Sequence, residues 1–378
     1  MKKLLIMASL FPPQKLGGGP ITSISNLVKH LKDRFELYVL THNYEIGHSE
    51  PLPNIDGGKW TTVDGVKVFY VDYKDNSVKF NLNRIEEVKP DVIYQNSFFS
   101  YDHLLASLRY RKKHKDVRVV VAPRGEFGFE KLKLGRIKKR LYIKALKLFG
   151  YLKGVFFQAT SDDEVSEIES VIGGNKIFYA TNLPCKYGAP DFVTDKKKGE
   201  LSLFTISRIH EIKNILMSVK CLKKVSGKVV FDIYGPMEQR DYWAKCEAEI
   251  KELPENVTVE YKGAIDHDEV ESIVRSHEAL LFPTKGENFG QTIADSFLNA
   301  RPVIISDKTP WSDCEEFGGG IVVKLEDEVG FTKAVQTFID ADPDEFYKYS
   351  VRSKEYIDKK LNIEEEVEKY CEMFGENE

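Results

Sequence analysis

Several things that would assign this chain quickly are scarce or missing. It has five cysteines in 378 residues, Cys185, Cys221, Cys246, Cys314 and Cys371, and none stands in a CxxC pair. An odd, scattered set excludes a disulfide framework and a structural zinc, and it fits a reducing compartment. No window approaches the ~18 apolar residues of a membrane span. The amino-terminal "MKKLLIMASLFPP" has an apolar run only from Leu4 to Phe11. No small-residue cleavage site follows, so it reads as a first buried strand rather than a signal peptide. The expected location is cytoplasmic. There is no large excess of basic charge. A net charge of −4 argues against a general nucleic-acid binder. No GxGxxG follows a strand, which disfavours a dinucleotide-dependent oxidoreductase. What is present is ordinary globular material, 42% hydrophobic and 30% charged, in a length that suggests two domains.

Short apolar runs alternate with helix-like runs from end to end. "KLLIMASL", "FELYVLT", "VKVFYV", "DVIYQNS", "RVVVAPRG" and "GVFFQATS" are apolar on both faces, as strands of a helix-covered parallel sheet are. A break follows at Leu183 to Glu200, "LPCKYGAPDFVTDKKKGE", whose prolines, glycines and lysines read as a linker. The alternation then restarts with "LSLFTIS", "VVFDIYG", "VTVEYKG", "ALLFPT", "PVIIS" and "GIVVK". The fold class is therefore α/β, with two Rossmann-like doubly wound parallel sheets facing across a cleft. Ligands of such sheets sit beyond the carboxyl ends of the strands, so the loops there are the places to look for chemistry.

Three loops stand out. "FPPQKLGGGPITS" puts Gly17, Gly18 and Gly19 before a helix, either as a flexible loop or as a backbone cradle for a phosphate or sugar. "SRIHEIKN" places Arg208 and Lys213 at a helix start, where a bidentate fork and a point charge would suit a diphosphate, although a solvated helix start would look the same. "TKGENFGQTIADSF", Thr284 to Phe297, follows a buried strand and sets Glu287 before a helix and Asp295 one turn into it. Gly290 permits close approach, and free N–H groups at the helix start can take an anion. The two acids could instead only complement the helix dipole.

Taken together these loops resemble the retaining GT-B glycosyltransferases of family 4, the glycosyl transferases group 1, and in particular polysaccharide-assembly members. The E-x7-E signature of that family appears as Glu287 to Asp295. Its S-R-x4-K-N element appears as Ser207, Arg208, Lys213 and Asn214. The glycine-rich loop matches Gly17 to Pro20, "IYGP" and "YKG" fall at nucleotide-contacting loops, and "APRGEF" resembles the PRG variants. The resemblance implies a donor-binding second domain, 200–343, and an acceptor-binding first domain, 1–185, with the carboxy-terminal helix 344–378 returning to it. It implies that Arg208 and Lys213 neutralise the donor diphosphate, Glu287 contacts the donor sugar, and Asn288, Phe289, Gly290 and Gln291 offer backbone N–H groups. Asp295 would hold the ribose, one methylene shorter than the usual Glu. Gly18, Gly19, Gly235 and Lys262 complete the donor set. No metal and no cofactor is expected, because Arg plus Lys supplies the charge a metal would.

On the acceptor side, Arg124 and Glu126 after "RVVVAP", and Asn96 and Ser97 after "DVIYQ", are the candidates. The stretch Lys131 to Lys153 holds nine Lys or Arg and no acid, and Leu134, Ile137, Leu141, Ala145, Leu148 and Leu152 recur at helical spacing. This is either a core-facing helix with a solvated basic face or a surface for anionic membrane lipid. The histidines, His103 and His210 included, show no ligand spacing. Trp311 either lines the cleft or packs. The function expected is transfer of a sugar from a nucleoside-diphosphate sugar, UDP-sugar favoured over GDP-sugar, to a glycan or lipid-linked saccharide, in cell-surface polysaccharide assembly. The expected place is cytoplasmic with a peripheral membrane contact. Two other readings stay open: a non-catalytic nucleotide-sugar-binding subunit, and a GT-B nucleotide-sugar epimerase.

Overall fold

The computed structural model describes residues 1–128, 132 and 136–376, without the side chain at 136. It divides into two compact units, 1–183 with 363–378, and 184–362.

The first unit runs β1 (Lys3–Met7), α1 (Gly19–Leu31), β2 (Glu36–His42), β3 (Trp60–Val63), β4 (Val66–Val71), α2 (Val78–Val88), β5 (Val92–Asn96), α3 (Tyr101–Lys113), β6 (Arg118–Ala122), α4 (Arg136–Leu148), β7 (Phe156–Ala159), α5 (Asp162–Val171) and β8 (Ile177–Tyr179). The sheet order is β3-β4-β2-β1-β5-β6-β7-β8. All pairs are parallel except the β3–β4 hairpin, which turns on Asp64 and Gly65, both at positive φ. Successive side chains of β1 serve opposite cores: Leu5 and Met7 join one cluster, Leu4 and Ile6 the other. That is why these strands read as unbroken apolar runs.

The second unit runs β9 (Glu200–Ile206), α6 (Ile215–Cys221), β10 (Lys228–Tyr234), α7 (Arg240–Ile250), β11 (Val257–Gly263), α8 (Val270–Arg275), β12 (Ala279–Phe282), α9 (Gln291–Leu298), β13 (Val303–Ser306), β14 (Gly320–Val323), α10 (Glu328–Asp340) and α11 (Pro343–Lys360). Its order is β11-β10-β9-β12-β13-β14, all parallel. Leu203, Phe231 and Ile233 face one large core.

Two expectations need correction. Residues 184–199 are not a loose linker: Val193 is in the core of the second unit, its N–H donates to Ser350 Oγ at 3.0 Å, and Arg301 donates to the Asp191 carbonyl. The carboxy-terminal segment does not return as one helix from 344. α11 packs on the second unit, with the Tyr356 ring 5.0 Å from Phe297 and Ser350 Oγ 2.7 Å from the Ala300 carbonyl. Leu361 is extended and ends it. Only α12 (Ile363–Met373) belongs to the first unit, where Tyr370 accepts from Gln158 at 2.7 Å and donates to the Thr181 carbonyl at 3.0 Å. The apolar stripe of the basic helix is divided: Leu152 is buried in the core of the first unit and Ala145 is half-buried, and the others described are exposed. α4 buries Ile143 and Leu146, while Ile137, Leu141 and Leu148 are exposed. Lys131, Lys133, Leu134 and Gly135 of that stretch lie outside the described residues. All five cysteines are free and buried. Among the described residues no helix is long and apolar enough to cross a membrane.

Candidate functional site

The second sheet reverses its strand order between β9 and β12, which is where a doubly wound sheet opens a crevice. The two loops that flank this switch point are 207–214 after β9 and 283–290 after β12. They supply Lys213 and Glu287, which meet at 2.6 Å and are both mostly buried. Lys213 ends a 3-10 turn, and Asn214, in the left-handed region at φ 55°, redirects the chain into α6 and donates to the Pro283 carbonyl at 2.9 Å. Glu287 Oε1 also accepts from Thr284 Oγ1 at 3.0 Å, and the Glu287 N–H donates to the Lys308 carbonyl at 3.3 Å. Thr284 is a site residue that the sequence did not reveal. It is fully buried and braces the carboxylate from behind.

Gly290 starts α9 at φ 78°, where a Cβ would come 3.1 Å from Trp311 Nε1 and from Ile293 Cδ1. The position therefore needs glycine both for its backbone angle and for space. Trp311 packs against the Phe289 ring at 5.5 Å and donates its indole N–H to the Phe289 carbonyl, so it holds the loop from below. Among the described residues the N–H groups of Asn288, Phe289, Gly290 and Gln291 have no protein acceptor, and α9 has neither a side-chain cap nor an acid in its first turn. A helix start in that condition attracts an anion.

Arg208 lies partly exposed and pairs with Glu238, a partner the sequence gave no signal for. Asp295 sits deeper than its place in the signature suggests. It is 4% exposed, accepts from Gln291 Nε2 at 3.0 Å, and lies beside the buried Tyr187 hydroxyl. Burial pushes its carboxyl up to about 7, against the opposing pull of Gln291 and Tyr187. Gly235, at φ 132°, is a packing requirement: a Cβ there would fall 1.9 Å from the Ser207 carbonyl oxygen. Its own carbonyl accepts from Tyr261 at 2.8 Å. Lys262 is bonded to Glu260 and stands 3.7 Å from Asp232. Alternate residues of β10 and β11 face away from the large core, and those three belong to that polar set.

In the first unit the strand order reverses between β1 and β5, and Ser9 Oγ and Ser100 Oγ, from the loops after those strands, lie 3.1 Å apart. Gly18 and Gly19 lead into α1, whose start has no side-chain cap and no acid in its first turn. The four acceptor-side candidates come together in two pairs. Arg124, at φ 57°, donates to Asn96 Oδ1 at 2.9 and 3.1 Å, to Tyr94 Oη at 3.0 Å and to Asn182 Oδ1 at 2.5 Å. Glu126 accepts from Ser97 Oγ at 2.6 Å and from the N–H groups of Phe98 and Phe99 at 2.6 and 3.2 Å. Glu164, which the sequence did not single out, holds the Gly125 N–H at 2.7 Å.

Asp-x-Asp is spelled in two stretches, once at 266–268 and twice, overlapping, at 340–344. In one, Asp266 closes a capping box with Glu269. In the other, Asp342 caps α11 and Asp340 accepts from Gln336. Among the described residues one grouping has metal-ligand spacing, Glu368, Cys371 and Glu376, and Arg34 takes up both of its carboxylates.

Residues 200–341 match the family described as Glycosyl transferases group 1. The fold is GT-B. Over 99% of this chain and 98% of theirs, the coordinates superpose on sucrose-phosphate synthase from Thermosynechococcus elongatus, at a TM-score of 0.71 and 15% identity. Anabaena HepE, solved with UDP and glucose, gives 0.67 and 13%, over 98% of this chain and 99% of that one. A mutant of S. aureus TarM, solved with fondaparinux, alpha-GlcNAc-glycerol and UDP, gives 0.68 and 12%, over 99% and 100%. At such identities the likeness carries the fold. No curated protein sequence matches the chain. The family match and the GT-B fold together support a glycosyltransferase.

Proposed function

We propose that this chain is a retaining glycosyltransferase of family 4. It moves a hexosyl group from a nucleoside-diphosphate sugar to a glycan or lipid-linked saccharide, in cell-surface polysaccharide assembly. The observation that carries this reading is the Lys213–Glu287 pair at the switch point, with Glu287 on the loop that leads into the unsatisfied amides opening α9. Those amides and Lys213 meet the diphosphate. Arg208 joins them by exchanging Glu238 for a phosphate oxygen, an exchange that costs little because a partly exposed ion pair contributes only about 0–1 kcal/mol. Glu287, fixed by Lys213 and Thr284, accepts hydrogen bonds from the donor sugar hydroxyls. Asp295 takes the ribose hydroxyls once Gln291 yields its bond. Gly18 and Gly19, at the uncapped start of α1, offer an anion a second helix start in the first unit. Arg124, Glu126, Asn96 and Ser97 order the loops that receive the acceptor.

In the transfer, the bond from the anomeric carbon to the diphosphate oxygen breaks and a bond to the acceptor oxygen forms on the same face. The acceptor proton passes to the departing phosphate. Arg208 and Lys213 stabilise charge as it grows on that leaving group, the role a metal would otherwise fill. UDP is the favoured nucleotide, since HepE and TarM of the same fold were solved with it.

Thermal shift in EDTA with UDP, GDP, ADP and CMP tests the donor assignment. One nucleotide, UDP first, stabilises the chain by about 2.7 kcal/mol at roughly 100 times its Kd. Arg208→Ala loses most of that shift. Four nucleotides without effect on the wild type overturn the donor site.

A further inference from the structure

The basic helix α4 has two apolar faces. One is ordinary: Ile143 and Leu146 are buried in the core of the first unit, with Tyr142 against them. The opposite face is not. Ile137 is 76% exposed, Leu141 61% and Leu148 82%. At about 100° per residue these three project within about 40° of one another, on one side of the helix. Phe149, just past the helix end, is 64% exposed as well. Arg140 and Lys144 flank these three on one side and Lys138 on the other, all exposed and none ion-paired among the described residues. No acid occurs between Lys131 and Lys153. A helix that only covered a core would place its lysines, not its leucines, opposite that core.

We propose that α4 lies on an anionic lipid bilayer, with Ile137, Leu141 and Leu148 entering the acyl boundary and Arg140, Lys144 and Lys138 on headgroup phosphates. Long basic stems can lie along these apolar side chains with their charges held at headgroup level. A second copy of this chain is the poorer occupant, because a two-fold contact through this face would press like charges together. The inference is independent of the donor chemistry: it places the first unit at a membrane surface whichever sugar is moved.

The test is co-sedimentation of the full chain with phosphatidylglycerol–phosphatidylcholine vesicles and with phosphatidylcholine alone. The wild type binds the anionic vesicles and not the neutral ones, and salt releases it. Arg140→Glu with Lys144→Glu weakens binding at least about tenfold, and Leu141→Ser with Leu148→Ser weakens it too. A Leu141→Trp variant reports insertion directly, through a blue shift of its emission on anionic vesicles. Absence of wild-type binding, or equal binding by the charge-reversed variant, overturns the proposal. So does a Leu141→Ser, Leu148→Ser variant that changes the oligomeric state in sedimentation velocity while leaving lipid binding intact. Nucleotide-induced stabilisation, measured on the same samples, reports separately on the donor site.

Discussion

At Asp295 an acid is kept where water is not. Burial raises its carboxyl to about 7, and the consequence for stability has a definite sign. Below about pH 4 the folded and unfolded chains both hold the proton, and there is no penalty. Between about pH 4 and 7 the unfolded chain releases it while the folded chain keeps it, so stability falls as pH rises. Above about 7 the full penalty is present, about 4 kcal/mol at most. Asp295→Asn removes this term. Relative to the wild type, the variant gains about 1–3 kcal/mol between pH 5 and pH 8. Urea unfolding followed by Trp243 and Trp311 in a Trp60→Phe background reads it. A stability difference that does not change with pH would contradict it. The loops that bring Glu287 and Lys213 together were legible in the sequence because each follows an apolar strand. The burial of Asp295 was not, because Tyr187 comes from a segment that reads as linker and gives no local sign of where it packs.

At the scale of elements, the apolar runs that are buried on both faces were all readable. The two edge strands of the first sheet, β3 and β8, were not: β3 is half exposed and interrupted by threonine, and β8 is three residues long. The division of the carboxy-terminal segment was equally hidden, since α11 and α12 share a charged, helical composition and differ only in what they pack against. α12 and the turn after it bury Tyr370, Cys371, Met373 and Phe374 over one face of the first sheet. Arg34 reaches Glu368 at 2.7 Å, and Arg118 donates to the Met373 carbonyl at 3.0 Å. At about 1.5–3 kcal/mol for each large apolar side chain, this contact rivals the whole stability of a domain. Deleting 363–378 should therefore lower the Tm of the first unit by more than about 10 °C and leave that of the second unit in place. Calorimetry resolves the two transitions. A loss in the second unit alone would contradict the division.

For the whole molecule, the chain passes twice between its units, near 183–184 and near 362–363, and each unit has one switch point with loops from adjacent parallel strands around it. The second unit gathers Lys213, Glu287 and a run of unsatisfied amides at that point, which is what a donor with a diphosphate beside sugar hydroxyls requires. The most direct measurement is nucleotide release from UDP-, GDP-, ADP- and CMP-sugars, by the wild type and by Lys213→Ala, with no acceptor beyond water. Slow release of one nucleoside diphosphate, UDP first, that falls at least about a hundredfold in the variant is the predicted result. Release from none of the four, or equal release by the variant, would contradict a sugar-transfer site built on Lys213 and Glu287.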